Sequence, residues 1–315
     1  MTKIYLTDAA TGVTRTVDAP CKDCWISMVN PSDEEQKLIA QRYNIDIDDI
    51  RAALDDDERS RIEFEDDYTL ILVDIPAVEM RDGVGRYVTI PLAVIIAKDA
   101  VITVCLEDTP VLEFFGRRRA RGFSTAMKTR FILQILYHNA TLYLQYLRNI
   151  EKQSETVEDR LYDSTENHEL LELLELKKSL LYFTTSLRSN EAVLDKLLKS
   201  EAVKKYPEDT DLLEDVIVEN RQAMEMANIY SGILSGTLDA YASIISNNQN
   251  SVMYFLTIAT IVLSIPNIVF GAYGMNISEN TMPFAANPFA FWIVIGVSLV
   301  LAVAVFIYFS KKKMY

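Results

Sequence analysis

The rhythm of hydrophobic and polar positions changes twice along the chain. Up to about residue 125 the apolar residues come in short runs of strand length: Lys3–Thr7, Val13–Val17, Cys24–Val29, Tyr68–Val78, Tyr87–Ile96 and Ala100–Cys105. Asp82-Gly83 and Lys98-Asp99 supply turns between the longer ones. Asn30-Pro31-Ser32-Asp33-Glu34-Glu35 has the cap, early proline and acidic first turn of a helix predicted to reach about Tyr43. A short helix is predicted from Asp46 to Leu54, and another near Thr109–Gly116 closes a mixed α/β domain.

From about Ser124 leucine, glutamate and lysine recur at three- and four-residue spacing, as in Leu170, Leu173, Leu174, Leu180 and Leu181. Proline occurs once between Ser124 and Asn250, at Pro207, and predicts a break between two long helices, about 125–204 and 210–273. The second, at roughly 60 residues, spans about 90 Å. That is too long to be buried in one compact domain, so it is expected to act as a stalk running on into the third region. There, Val252–Tyr273 and Ala290–Phe309 are uncharged stretches of 22 and 20 residues. Each is long enough for a hydrocarbon core of about 30 Å. The expected divisions are 1–125, a cytosolic α/β domain; 126–250, long cytosolic helices including the stalk; 251–273, a first transmembrane helix; 274–289, an outer loop; 290–310, a second transmembrane helix; and 311–315, a basic cytosolic tail.

Charge sharpens this division. Beyond Asn250 the charged side chains are Glu279, Lys311, Lys312 and Lys313, so 28 of the 31 basic and 44 of the 45 acidic residues lie in 1–250, a net −16. Such a surface repels phosphate backbones and argues against nucleic acid as a partner; it suits cations, and equally it simply keeps the protein soluble. The lysines directly after the second span place the C-terminus in the cytosol, and two crossings return the N-terminus to the same side. Met1-Thr2-Lys3-Ile4-Tyr5-Leu6 lacks the apolar run of a signal peptide, in agreement. Cys21 and Cys24 have redox or zinc-knuckle spacing, but the one remaining cysteine, Cys105, cannot complete a second pair, and they are expected to be ordinary reduced thiols beside a strand. No Gly-x-x-x-x-Gly-Lys loop, Ser/His/Asp set or Cys/His pair is recognisable, and the histidines are His138 and His168 alone, so an enzyme is not expected.

The two spans differ in kind. The second is mostly Val, Ile, Leu, Ala and Phe, with Trp292 and Gly296 besides and Ser298 and Tyr308 as its polar residues, and is expected to face lipid all round. The first carries Asn250, Thr257, Thr260, Ser264, Asn267 and Gly271 at spacings of 7, 3, 4, 3 and 4, a stripe along one face. Polar side chains at membrane depth face protein or water. One stripe cannot enclose a pore, whereas several copies with stripes turned inward can, which points to a homo-oligomer. The other reading is that these residues merely hold helices together.

The stripe ends at Tyr273-Gly274-Met275-Asn276. With this motif closing the first of two C-terminal spans, behind an acidic α/β domain and a long stalk and ahead of a lysine-rich tail, the whole chain resembles the CorA family of magnesium transport proteins. The resemblance implies an α+β cytosolic domain followed by long stalk helices and two transmembrane helices, assembled as a homopentameric funnel-shaped channel in the plasma membrane of a prokaryote. It implies magnesium as transported and regulatory ion, no other cofactor, and divalent cations, lipid bilayer and copies of the same chain as partners. It places Gly274, Met275 and Asn276 as the outer selectivity motif, with Asn276 receiving the ion. Asn250, Met253, Leu256, Thr257, Ser264, Asn267 and Gly271 would line the pore, Met253 and Leu256 forming a hydrophobic constriction. Neutral amide oxygens suit a magnesium ion that gives up its water reluctantly, and no carboxylate is present to trap it. With no charged residue in either span a proton relay is not expected, and two charges at about 2.3 kcal/mol each per 100 mV leave ~4.6 kcal/mol for passive inward flow.

The family's regulatory acidic positions fall on Asp215, at the start of the stalk, and on Asp48 and Asp49 as partners across a subunit interface. A third falls near Thr141, which supplies no carboxylate. Asp239, eleven residues before Asn250, is placed at the inner mouth, and Glu279 in the outer loop. The expected physics is that unpaired carboxylates repel across interfaces until a divalent cation bridges them. Two alternatives stand beside this reading: a zinc or cobalt/nickel transporter of the same architecture, and a membrane-anchored cation-sensing scaffold without transport.

Overall fold

Strands buried on both faces need apolar residues at odd and even positions alike, and the runs around Cys24–Val29 and Ala100–Cys105 satisfy that demand. In the computed structural model, which describes residues 1–8, 11–81, 84–116, 123–163, 167–199, 206–275, 283 and 287–311, these runs lie side by side at the centre of a sheet. Among the described residues the sheet has seven strands: β1 (Thr2–Thr7), β2 (Thr14–Thr16), β3 (Cys24–Val29), β4 (Arg61–Phe64), β5 (Tyr68–Arg81), β6 (Val84–Ala97) and β7 (Ala100–Cys105). Their order is β2-β1-β3-β7-β6-β5-β4. Only β3 and β7 pair in parallel, in register from Cys24↔Ala100 to Val29↔Cys105. The helices are α1 (Asp33–Tyr43), α2 (Ile47–Ala52), α3 (Pro110–Gly116), α4 (Lys128–Asp163), α5 (Asn167–Lys199), α6 (Pro207–Tyr273) and α7 (Ala290–Lys311).

Residues 1–238 and 239–315 form two compact units, and α6 belongs to both. In the first, strand alternation sends Trp25, Ile71, Val73, Leu92, Val94 and Val101 to one face of the sheet. They pack there on Phe131 and Ile135 of α4, Val193 and Leu197 of α5, and Leu213 and Val216 of α6. The intervening Ile26, Leu70, Leu72, Ala93, Ile95 and Ile102 meet Ile39 and Ala40 of α1 and Ile50 of α2 on the other face. The predicted start of α1 is realised as a capping box: the Glu35 carboxylate accepts from the Ser32 N–H at 2.9 Å and the Ser32 hydroxyl from the Glu35 N–H at 3.3 Å.

Three elements differ from the pattern reading. Strand β4 was not expected: of its four residues only Ile62 is buried, and it forms a sheet edge carrying Arg61 and Glu63. Region 125–204 is not one helix but the pair α4 and α5, which run antiparallel, with Arg160 paired to Glu172 across them. The sequence Asp163-Ser164-Thr165-Glu166-Asn167 is rich in residue types that compete for backbone hydrogen bonds and disfavour helix interiors. Pro207 is the first residue of α6 rather than part of a gap, the position where its missing N–H costs nothing.

Three contacts between α4 and α6 share one offset of 79 residues, so the two run parallel in constant register: Arg130 to Asp209 (4.0 Å), the Tyr230 hydroxyl beside Glu151, and Thr237 Oγ1 to Glu158 (3.4 Å). Helix α5 is antiparallel to α6. Asn220 Nδ2 donates to the Leu187 carbonyl at 3.0 Å, and Arg221 reaches Glu191 at 2.6 Å.

Past the end of β4, which pairs with β5 only as far as Leu72, side chains take over the backbone of β5. The Asp74 N–H donates to Asn190 Oδ1 (2.9 Å). Its carbonyl accepts from Asn190 Nδ2 (2.8 Å), Asn139 Nδ2 (3.0 Å) and the Tyr143 hydroxyl (3.2 Å). Burial raises the Asp74 carboxyl pKa, against the opposing effect of the Ser186 and Ser60 hydroxyls.

In the second unit the membrane-depth part of α6 pairs with α7, and the Tyr254 hydroxyl donates to the Phe309 carbonyl at 3.1 Å. Tyr254, Ile258, Val262, Ile265, Val269 and Tyr273 form the less exposed edge of α6. On α7 the buried residues are Val294, Ser298 and Ala302, one every fourth position. The expectation that this span faces lipid all round is therefore corrected: one face is packed against protein. The small side chains let the helices approach, and Ser298 hides its polarity by donating to the Ile295 carbonyl at 2.8 Å within its own helix.

Two predictions follow from these contacts. A carboxyl whose folded pKa is raised destabilises the fold only where it is ionised, so the penalty of Asp74 is absent well below the ordinary value of 3.8 and full above the raised one. Asp74→Asn is expected to stabilise the protein on the order of 1 kcal/mol at pH 7–8, with the gain shrinking as pH falls below the raised pKa and vanishing only well below 3.8 in denaturant unfolding. Ser298→Leu is expected to destabilise by about 1–3 kcal/mol in detergent unfolding, while Val297→Leu on the exposed face changes little.

Candidate functional site

The polar stripe of α6 lies on the side away from α7. At about 100° per residue, Asn250, Thr257, Thr260, Ser264, Asn267 and Gly271 centre about 140° round the helix from the edge formed by Tyr254, Ile258, Val262, Ile265, Val269 and Tyr273. All are exposed except the half-buried Ser264. The hydroxyls share one arrangement: Thr257 donates to the Met253 carbonyl (2.8 Å), Thr260 to Leu256 (2.8 Å) and Ser264 to Thr260 (2.7 Å). Each hydroxyl hydrogen is thus committed to the helix four residues back, and the oxygen lone pairs are left to face outward. Asn267 and Asn250 add amide groups above and below. Such a face can accept hydrogen bonds from the water shell of a cation without replacing that shell. Met253 and Leu256, 61% and 52% exposed, set an apolar band on the same face just above Asn250. The helix runs through Pro266 without interruption.

At the end of α6 the Gly274 N–H donates to the Phe270 carbonyl at 2.8 Å. A Cβ on Gly274 would stand 3.3 Å from the Phe270 oxygen and 3.6 Å from that of Gly271, so a side chain here would crowd the last helical carbonyls. Met275 follows, exposed, and the Tyr273 hydroxyl donates to the Pro283 carbonyl at 2.7 Å. Asn276 and Glu279 lie outside the described residues.

The acidic positions sit in unlike surroundings. Asp48 is exposed, with Arg51 3.8 Å away. Asp49 is not the bare carboxylate expected from sequence. Its side chain is 14% exposed, it accepts from the Tyr68 hydroxyl, and Arg61 stands 3.8 Å off. Arg61 in turn holds Glu58 (2.6 Å) and Glu63 (2.8 Å). Burial, with the acceptor Asp49 adding to it, pushes the Tyr68 phenol up to about 12, so it is a hydrogen donor at any physiological pH. Asp215 on α6 is exposed and forms no ion pair among the described residues. Asp239 is exposed as well, and Thr141 turns its hydroxyl to the Tyr137 carbonyl. Among the described residues no three His, Cys, Asp or Glu side chains gather as a metal-ligand cluster within one chain. Tyr68 and Arg61 escaped the sequence reading because they reach Asp49 from β5 and from the unforeseen β4, with no local spacing to reveal it.

Comparison with known proteins bears on this arrangement. The cobalt/magnesium transport protein CorA of Methanocaldococcus jannaschii is 27% identical over 297 residues, covering 91% of this chain and 90% of that one. The cobalt/magnesium transport protein CorA of Thermotoga maritima is 28% identical over 171 residues, 54% of this chain and 48% of that one. The complete structure of the CorA magnesium transporter from Methanocaldococcus jannaschii superposes with a TM-score of 0.84 at 24% identity, over 99% of this chain and 98% of that one, and so shares its fold. The model of the CorA-like Mg2+ transporter protein family matches residues 22–313, taking in strands β3 to β7, the long helices and both apolar spans, and the chain accordingly belongs to that family of transporters.

Proposed function

We propose that this protein is a magnesium channel for passive, potential-driven uptake, and that intracellular magnesium bound between cytosolic domains closes it. The observation that carries the reading is the uncharged polar stripe of α6, whose hydroxyl hydrogens are all committed to the helix, on the side that α7 leaves uncovered, in a chain of this family. A homopentamer with these faces turned to a common axis surrounds a hydrated cation with hydroxyl and amide oxygens. Gly274, Met275 and Asn276 form the outer selectivity motif, with Glu279 beside it. Gly271, Asn267, Ser264 and Thr257 continue the path, Leu256 and Met253 constrict it, and Asn250 and then Asp239 stand at the inner end. Both termini are cytoplasmic in a prokaryotic plasma membrane. Cobalt is a second permeant ion in this reading, supported by its place beside magnesium in the names of both relatives.

For gating, Asp48 and Asp49 of one subunit and Asp215 of its neighbour share a magnesium ion. Because one chain gathers no ligand cluster among its described residues, completing such a site calls for a second copy. Asp48 and Asp215 bring exposed charge, and a cation reaching Asp49 competes with Arg61 for it. When internal magnesium falls, the carboxylates repel, the interfaces loosen and the constriction widens.

Uptake into liposomes with an inside-negative potential is expected to follow that potential, and Asn276→Ala to lower it at least about tenfold. Uptake indifferent to the potential, or unchanged in Asn276→Ala, overturns the channel reading. The double variant Asp49→Ala, Asp215→Ala is expected to raise the internal magnesium needed for inhibition about tenfold, a change of about 1.4 kcal/mol. Unchanged inhibition removes these residues from the regulatory site.

A further inference from the structure

Cys21-Lys22-Asp23-Cys24 lies outside the proposed conduction path and regulatory site, and its geometry is specific. Lys22 and Asp23 form a turn directly before β3, with Asp23 in the left-handed region at φ 61°. The Asp23 N–H donates to the Asp99 carbonyl at 2.7 Å, which ties the turn to the hairpin between β6 and β7. A four-residue turn brings its first and last Cα atoms within about 7 Å, and a disulfide needs about 4.4–6.8 Å. Both cysteines are free thiols. They are unequal in access. Cys24 is fully buried beneath α1, where its thiol is within hydrogen-bonding reach of the Cys21 thiol, the Cys21 backbone and the Tyr43 hydroxyl. Cys21 is half-buried and lines an open cavity of about 390 Å³ with Lys22, Arg42 and Lys98, against Asp99 and an Asp67 that is already bonded to Asn44. Burial raises the Cys24 pKa, leaving the accessible Cys21 as the thiol that reacts first.

We propose that Cys21 and Cys24 are a reversible dithiol that closes to an intramolecular disulfide by exchange with an anionic low-molecular-weight disulfide. The three cations of the cavity favour carboxylates on the incoming molecule. Cys21 Sγ attacks one sulfur of the small disulfide. That S–S bond breaks, one small thiolate leaves and takes a proton, and a mixed disulfide remains on Cys21. Cys24, losing its proton to solvent, attacks Cys21 Sγ and expels the second small thiolate. The protein gives up two electrons and two protons, and the small disulfide is reduced to two thiols. Closure withdraws the Cys24 thiol from Tyr43, the last residue of α1, one step before the Asn44-Ile45-Asp46 link into α2.

The test is titration of the full-length protein in detergent with oxidised and reduced glutathione, followed by acid quench, alkylation, digestion and mass spectrometry. The expected product is a Cys21–Cys24 peptide two hydrogens lighter, with Cys105, buried in β7, alkylated only after unfolding. Cys24→Ser is expected to stop at a glutathione adduct on Cys21, and Cys21→Ser to give neither product. Two alkylated thiols at the most oxidising ratio, a wild-type protein that stops at the adduct, or a bond between two chains each overturns the proposal. Should Cys24→Ser fail to fold, the wild type and Cys21→Ser decide it.

Discussion

A helix that crosses hydrocarbon has to close every backbone hydrogen bond within itself, and each hydroxyl it carries needs a partner too. In α6 the helix's own carbonyls meet both requirements, and this also shapes what the helix can do. Thr257, Thr260 and Ser264 donate to carbonyls four residues back, so no donor is left facing outward from these side chains. What remains is oxygen, on a side of the helix that α7 does not cover. A cation with its water shell is the complement of that surface, because its waters present hydrogens. The absence of carboxylates from this stretch of sequence agrees with the proposed conduction path, since an ionic ligand would hold an ion more tightly than a neutral one.

The pairing of α6 with α7 depends on size rather than polarity. Val294, Ser298 and Ala302 recur every fourth residue and lie buried, whereas the Leu299, Val300 and Leu301 between them are exposed. Large apolar residues can face lipid at no cost, and the small ones are where a second helix comes close. This leaves the opposite face of α6 uncovered, the face that carries the polar stripe.

In the first unit, the sheet sends alternate side chains into two cores, and three long helices cover one of them. Their register is held by polar contacts as well as packing: the constant offset between α4 and α6, and the Asn190 and Asn139 amides that take up the backbone of Asp74 where β4 ends. On the other face, α2 presents Asp48 to solvent while drawing Asp49 towards Tyr68 and Arg61. Two adjacent carboxylates thereby acquire different chemistry, one exposed and one already shared with a guanidinium and a phenol.

Much of this was legible in the sequence because it is periodic and local. The runs of β1, β3, β5, β6 and β7, the capping box of α1, the two apolar spans and the polar stripe each declare themselves within a window of a few turns, where spacing maps directly onto a face. The elements that escaped are those whose reason lies elsewhere in the chain. Strand β4 exists because β5 offers it an edge, the division between α4 and α5 lets both cover the same sheet, and the buried face of α7 is set by the helix it meets. Asp49 found Tyr68 and Arg61 for the same cause. Hydrophobic period is a property of neighbouring residues and survives in any context, but a contact between distant residues is decided by packing, and only the folded chain brings its two sides together.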